Sequence, residues 1–334
     1  MPEKKAVCKK PFVRLEIYED GECGSCCPPF IDNYTFGNLF TDDIDTIWNG
    51  EKIKKFRRAI LDNSYKYCHT DMCRNVDCIC IPRKYCSETM LTYPEEVEIS
   101  LDGHCNSKCV FCRDEYNRVD KESFVNMKNI LDSKIIPLLA NCRNLALNGI
   151  GEFFISKLSQ DLVLKTSVLY PNLKYTITTN GILCTPKKLK ELNILNNRIE
   201  LLSVSLHAVT EKTHEIITRS GKTFNKVISN IEDCMKLKND GEIGNFCLNF
   251  VICSLNYKEL PLMADYCNKN HISGNFWEFR KWGDLSLLNI DYDTYNVTNP
   301  NHPEYRRLKE ILKEDIFDSE FITLNGVLQD IREN

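Results

Sequence analysis

The stretch EISLDGHCNSKCVFCR, residues 98–113, decides how this chain is read. A β-type run over 97–101 leads into a polar turn. Three cysteines follow at Cys105, Cys109 and Cys112, in the spacing C-x3-C-x2-C. A structural zinc site needs four closed ligands, usually from paired C-x2-C half-sites. This loop offers three thiolates at uneven spacing. His104 is a fourth donor, but it adjoins Cys105, where reaching the same ion is awkward. Thiolates also suit iron–sulfur clusters, which are usually held by four cysteines. Three cysteines on a cubane leave one iron open, and an open iron is where a small molecule can coordinate and react.

The loop resembles the cluster loop of the radical S-adenosylmethionine (radical SAM) superfamily. The resemblance implies that Cys105, Cys109 and Cys112 hold a [4Fe-4S] cluster with an open iron. The amino and carboxylate groups of S-adenosylmethionine would chelate that iron. Phe111, just before the third cysteine, would pack near the adenine. The plainer alternative is three structural or incidental thiols in a cysteine-rich chain.

Downstream, strand and helix signals alternate, which argues for parallel β/α units. Strands are expected over 97–101, 144–147, 174–179, 201–206, 247–253 and 274–279. Helices are expected over 123–139, 155–169, 186–195, 211–218, 224–237 and 260–270. The expected class is α/β. Six units fit the incomplete (β/α)6 TIM-like barrel of the family, in which function gathers at the C-terminal strand ends.

The remaining motifs fall at those ends. In NGIGEFF, Gly149, Gly151 and Glu152 resemble the family's GGE motif, which receives the amino group of S-adenosylmethionine. An ammonium needs acceptors, and glycines let a backbone approach closely. Thr179, Asn180 and Gly181 resemble its T-N-G. Ser203 and Ser205 lie on the fourth strand, and Ser205 matches a serine that contacts ribose hydroxyls. Arg219 matches an arginine near the carboxylate, which its fork suits. Val251, beside Asn249, falls in the region lining the adenine pocket. Taken singly, each has an ordinary reading as a turn, a satisfied hydroxyl or a surface charge. His207 reads as a polar rim histidine and His214 as a helix-surface residue.

Upstream, residues 1–93 form a small cysteine-rich α+β domain. Val13, Leu15 and Ile17 alternate with polar residues as a half-buried strand, Asp20-Gly21 is a turn, and the return strand carries Cys23, Cys26 and Cys27. Ile44, Ile47 and Trp48 share one helical face, as do Ile53, Phe56 and Ile60, with Asp42 or Asp43 as the cap. The segment resembles the auxiliary-cluster module SPASM and its shorter relative Twitch. C-x2-P-F at Cys8, Asp20-Gly21, Cys26, the F-G-N-L run at 36–39, I-W-N at 47–49 and a terminal cysteine cluster carry the resemblance. It implies that Cys8, Cys26, Cys68 and Cys73 hold one auxiliary [4Fe-4S] cluster. A second cluster would draw on Cys27, Cys78, Cys80 and Cys86. Two departures stand out: C-x4-C replaces the usual C-x2-C, and the module precedes the core instead of following it. A zinc knuckle from the same cysteines is the plainer alternative.

Eighteen cysteines in 334 residues would suggest disulfides in a secreted protein. The start, MPEKKAVCKK, has no apolar signal region, so metal or redox chemistry in a reducing cytoplasm is expected. Cys142, Cys184, Cys234, Cys247, Cys253 and Cys267 read as small buried hydrophobes. A net charge of -4 shows no nucleic-acid footprint, and no apolar run approaches the ~20 residues of a membrane span. Residues 94–282 are read as the radical SAM core. Residues 283–334 are read as an extension or lid, with a helix over 306–312, an edge strand over 321–324, and Asp291, Tyr292, Asp293, Tyr295 and His302 as loose candidates for substrate contact.

The chemistry the resemblance implies is reductive cleavage of S-adenosylmethionine to a 5′-deoxyadenosyl radical. That radical takes hydrogen from a peptide or protein, leading to oxidation, cross-linking or epimerisation. A flavodoxin or ferredoxin would supply the electron. The alternatives are oxidation or rearrangement of a sugar-like small molecule, and a non-catalytic iron–sulfur or zinc redox module.

Overall fold

Runs such as Leu202–Leu206 and Leu248–Ile252 are short and mostly apolar, interrupted only by Ser203, Ser205 and Asn249, as suits strands of a largely covered parallel sheet. A computed structural model describes residues 6–27, 30–31, 33–70, 73, 80–112, 120–281 and 291–334. The chain forms two compact units: 1–103 with 118–151 and 156–175, and 104–117 with 152–155 and 176–334.

The first unit begins with β1 (Ala6–Cys8), α1 (Lys10–Val13), β2 (Arg14–Ile17), β3 (Glu22–Gly24) and β4 (Gly37–Asn38). Next come α2 (Ile44–Asn49), α3 (Glu51–Leu61), β5 (Cys80–Pro82) and β6 (Glu96–Ile99). They are followed by α4 (Lys121–Ile130), a π-turn at Leu131–Ile135, α5 (Ile136–Leu138), β7 (Asn144–Leu147) and α6 (Lys157–Leu169). Its sheet runs β7-β6-β2-β3-β4, parallel from β7 to β2 and antiparallel beyond. β1 and β5 form a separate antiparallel pair, with Cys8 opposite Cys80.

Two expectations in this unit need correction. Val13 is helical, and β2 starts at Arg14. Leu15, Glu16 and Ile17 are all buried, so both faces of β2 are covered, not one. Glu16 is tolerated there because Arg14 lies 3.2 Å away; Arg14 also pairs with Glu98. The return strand holds Cys23 alone, and Cys26 and Cys27 follow its end. Asp43 caps α2 by accepting from Thr46 N at 2.7 Å, whereas Asp42 accepts from Asn38 N at 2.9 Å.

The second unit contains most of β8 (Lys174–Thr179), then α7 (Pro186–Glu191), β9 (Ile199–Ser205), α8 (Glu211–Thr218), α9 (Phe224–Asn239) and β10 (Asn245–Ile252). It continues with α10 (Leu260–Asn270), β11 (Ser273–Glu278), α11 (Tyr292–Tyr295), α12 (Tyr305–Leu312), β12 (Ile322–Leu324) and α13 (Val327–Glu333). The strand order is β12-β11-β10-β9-β8, and β9 to β12 pair in parallel. β12 is the edge strand expected in the tail. The helix expected over 186–195 stops at Glu191. Asn193, Asn196 and Asn197 then take left-handed φ of 55°, 59° and 59°, a region asparagine tolerates. No helix among the described residues is long and apolar enough to cross a membrane.

Candidate cluster sites and cofactor site

In the second unit, backbone pairing fixes the Cys105–Cys112 loop to the end of α8. Lys108 N donates to Thr218 O at 2.8 Å and Val110 N to Ile217 O at 2.9 Å. Asn180 holds the loop from the end of β8. Its Nδ2 donates to Asn106 Oδ1 at 2.7 Å and Ser107 Oγ at 3.2 Å, and lies 3.9 Å from Cys105 Sγ. Ser107 N donates to the same sulfur at 3.4 Å. Glu152 completes the arrangement. Its N–H donates to His104 O at 2.7 Å. Its Oε1 accepts from Thr179 Oγ1 at 2.6 Å and Phe154 N at 3.2 Å, and its Oε2 from Asn180 N at 2.7 Å. The segments expected to act together therefore meet through direct hydrogen bonds.

Burial drives the electrostatics here. It pushes the Cys105 thiol up to about 11 and the Cys109 thiol well above its ordinary value. It also pushes the Glu152 carboxyl up, against the pull of its three donors. Thiols of this kind ligate only as thiolates, so a metal taken up here displaces protons.

Phe111 packs with Val110, Ile217, Cys253 and Phe279, and Val251, Tyr292 and Tyr295 flank the group. His207 meets Phe111 edge-on at 4.5 Å between ring centroids. It is not the rim residue the sequence suggested: it is 6% exposed, and burial pushes it down to about 3. Its neutral Nδ1 accepts from Val251 N at 3.1 Å. Asn256, fully buried, ties the same corner by donating to His207 O at 2.9 Å and Val251 O at 2.8 Å. His214 is likewise 2% exposed, against the surface position expected, and its Nε2 lies 3.0 Å from Thr223 Oγ1.

Ser203 is occupied by Asn249 Nδ2 at 2.6 Å and Cys247 Sγ at 3.3 Å. Half-buried Ser205 lies opposite Asn249 in the ladder. Arg219 is exposed, caps α8 and takes a left-handed φ of 49°. In the first unit, Gly149 has a φ of +96° and Gly151 one of +85°; a Cβ on Gly149 would collide with Ser100 Oγ. Asp291 caps α11 by accepting from Asp293 N at 3.3 Å and also accepts from Thr294 Oγ1 at 2.6 Å; His302 Nε2 lies 3.0 Å from Thr294 O. These contacts lie within the tail itself.

The N-terminal cysteines meet around a cavity of about 440 Å³, part of it open to solvent. Cys8, Cys26, Cys68 and Cys73 all line it, with Lys10 and Ser25. Buried Arg57 fixes the entry segment: its Nε donates to Pro11 O at 2.8 Å while its guanidinium stacks 4.5 Å from the Trp48 ring. Desolvation pushes Cys8 up to about 11 and Cys68 up to about 12.

Residues 8–78 match the family model of SPASM, an iron–sulfur cluster-binding domain. No curated protein matches the chain. Among solved structures it is similar to SuiB of Streptococcus suis bound to precursor peptide SuiA, at TM-score 0.46 and 17% identity, covering 87% of this chain and 56% of SuiB. It is similar to anSMEcpe with bound AdoMet at TM-score 0.45 and 17% identity, covering 69% and 63%. It is also similar to TYW1 with a lysine-pyruvate adduct, at TM-score 0.40 and 15% identity, covering 64% and 70%. The chain thus spans little more than half of SuiB's length.

The further candidate ligands that the structure describes stand apart from the cavity wall. Cys80 lies opposite Cys8 in the β1–β5 pair, and Cys86 Sγ lies 3.9 Å from Pro82 O. Cys27 follows Cys26 but does not line the cavity, and Cys78 lies outside the described residues. Among the described residues, no three His, Cys, Asp or Glu side chains cluster closely enough to hold a single ion. The six scattered cysteines are buried, as expected. Sequence reasoning missed Lys10, Ser25 and Asn256. Lys10, two residues after a candidate ligand, was the one with a visible signal.

Proposed function

We propose that this chain is a radical SAM enzyme with an auxiliary iron–sulfur cluster in its SPASM domain. The observation that carries the reading is the hydrogen-bonded set Glu152–Thr179–Asn180–Cys105, which joins three separate motifs at one loop. On this reading Cys105, Cys109 and Cys112 hold the core [4Fe-4S] cluster. Cys8, Cys26, Cys68 and Cys73 hold one auxiliary cluster, because these four share one cavity. The strands of the core belong to an incomplete (β/α)6 barrel.

When bound, the open iron and S-adenosylmethionine supply one-electron cleavage of the sulfonium to methionine and a 5′-deoxyadenosyl radical that takes hydrogen from substrate. The protein's own part is binding and orientation. Asn180 and the Ser107 N–H hold the Cys105 sulfur in place. The Glu152 carboxylate has about four acceptor sites, and three are taken. The fourth, on Oε2, is available to an ammonium. Ser205 offers its hydroxyl to a ribose and Arg219 its fork to a carboxylate. Phe111, oriented by His207, offers an apolar wall to adenine together with Val251. Gly149 and Gly151 bend the end of β7.

The substrate class we assign is a peptide or protein, as the SPASM module implies, with a flavodoxin or ferredoxin as electron donor in the cytoplasm. Anaerobic reconstitution followed by dithionite and S-adenosylmethionine tests the core of the proposal. 5′-Deoxyadenosine should form, and deuterium from a labelled peptide substrate should enter it. Zinc in place of iron, with no nucleoside, would overturn the enzyme reading. Deuterium transfer from a sugar instead would overturn the peptide assignment alone.

A further inference from the structure

The SPASM cavity contains a charge that ligation does not require. Among the described residues lining it, Lys10 is the only ionic side chain. Its Nζ donates to Cys26 Sγ at 3.2 Å. Lys10 thus donates directly to one of the four candidate ligands. The lysine is not simply a counter-ion for buried Glu16, because Arg14 already approaches that carboxylate at 3.2 Å. It is also held in place: α1 begins at Lys10, and Arg57 grips the next carbonyl, Pro11 O, at 2.8 Å. A second donor stands nearby. Ser25 is fully buried, lines the same cavity, and its hydroxyl has no hydrogen-bond partner among the described residues.

A cubane with four thiolates is a dianion that becomes a trianion on reduction. Cations and hydrogen bonds at its sulfurs favour the reduced form and raise its potential. We propose that Lys10, assisted by Ser25, is a positioning residue that raises the reduction potential of the auxiliary cluster through hydrogen bonds to its sulfurs. The inference rests on the reading of Cys8, Cys26, Cys68 and Cys73 as one cluster's ligands. The couple is a one-electron reduction of the cluster, with no bond made or broken. Removing the ammonium should lower the reduction equilibrium constant at least about tenfold, which is about 59 mV for a one-electron couple. Removing the Ser25 hydroxyl should lower it less.

The test is a dithionite titration of the reconstituted holoprotein followed by electron paramagnetic resonance. Added S-adenosylmethionine perturbs the core-cluster signal and so separates it from the auxiliary one. Lys10→Met should keep its iron and titrate at a potential lower by that amount, while Lys10→Arg stays near wild type. Loss of the auxiliary signal in Lys10→Met alone, with Lys10→Arg retaining it at the wild-type potential, also supports a role for the charge. An unchanged midpoint in Lys10→Met overturns the inference. Loss of the auxiliary cluster from both variants overturns it too, in favour of a packing role. A wild-type protein with no signal insensitive to S-adenosylmethionine is a different failure: it removes the auxiliary cluster itself.

Discussion

The Cys105–Cys112 loop and the N-terminal cysteine cavity gather cysteines by different means. In the loop, three thiols fall within one short stretch, and polar partners hold it: Asn180, the Glu152 N–H and the backbone of Ile217 and Thr218. In the cavity, four thiols come from segments as far apart as Cys8 and Cys73, and apolar packing brings them together, with Phe56, Ile60 and Ile31 in the wall. The loop depends on a few hydrogen bonds, so single polar substitutions should disturb it. The cavity depends on the fold of its whole unit, so its ligands should be separable from the loop's chemistry.

The largest expected effect comes from emptying the loop. Cys105→Ala/Cys109→Ala/Cys112→Ala should abolish 5′-deoxyadenosine formation, measured by chromatography after reduction. Residual nucleoside at the wild-type rate would remove the distinction between the two sites. Next is the polar tether. Asn180→Ala should weaken retention of the core cluster about 10–100-fold, the usual cost of losing an outer-shell partner. Iron release to a chelator reports this, and an unchanged release rate would mean that the loop holds itself.

Backbone geometry gives a smaller effect. Gly149→Ala forces a side chain into a left-handed position against Ser100 and should cost about 1–3 kcal/mol. Gly241→Ala has a similar φ of +75° but nothing within 4 Å, and should cost less. Thermal midpoints of the two variants should differ in that order, and equal midpoints would contradict the close approach at Gly149.

The smallest effect concerns pH. His207 is neutral when folded, pushed down to about 3 by burial, whereas the unfolded chain's histidine titrates near pH 6.5. Below about pH 6.5 the unfolded state binds the extra proton, so this part of the stability is present above that pH and is lost on acidification. Thermal midpoints taken from pH 8 down to 5 should fall less steeply in His207→Phe than in wild type. Parallel curves would show that His207 is not buried neutral.

How much of this was legible in the sequence follows the same division. C-x3-C-x2-C is local, so spacing alone exposed the loop. β7, β8, α8 and α10 are found where the strand and helix signals placed them. The tethers were not legible. Glu152 reads as a ligand for an ammonium, yet most of its acceptor capacity goes to Thr179, Phe154 and Asn180, contacts that only the folded chain creates. His207 reads as a rim residue and His214 as a surface one because no local signal reports what packs over them. In β2, alternation misled because Glu16 is buried as well as its neighbours: both faces of the strand are covered, which no local pattern reports. The convergence of Cys8 with Cys73 was visible only through the family pattern, since no spacing rule joins residues so distant.

The central claim is that the chain builds two separate four-iron sites. Iron and sulfide counts on anaerobically reconstituted protein test it most directly, comparing wild type, the Cys105/Cys109/Cys112 alanine variant and Cys26→Ala/Cys68→Ala. The account predicts about eight irons in the wild type and about four in each variant, with 5′-deoxyadenosine formed only where the loop is intact. Full iron in the loop variant, or four in the wild type falling to none when Cys26 and Cys68 alone are removed, would contradict it.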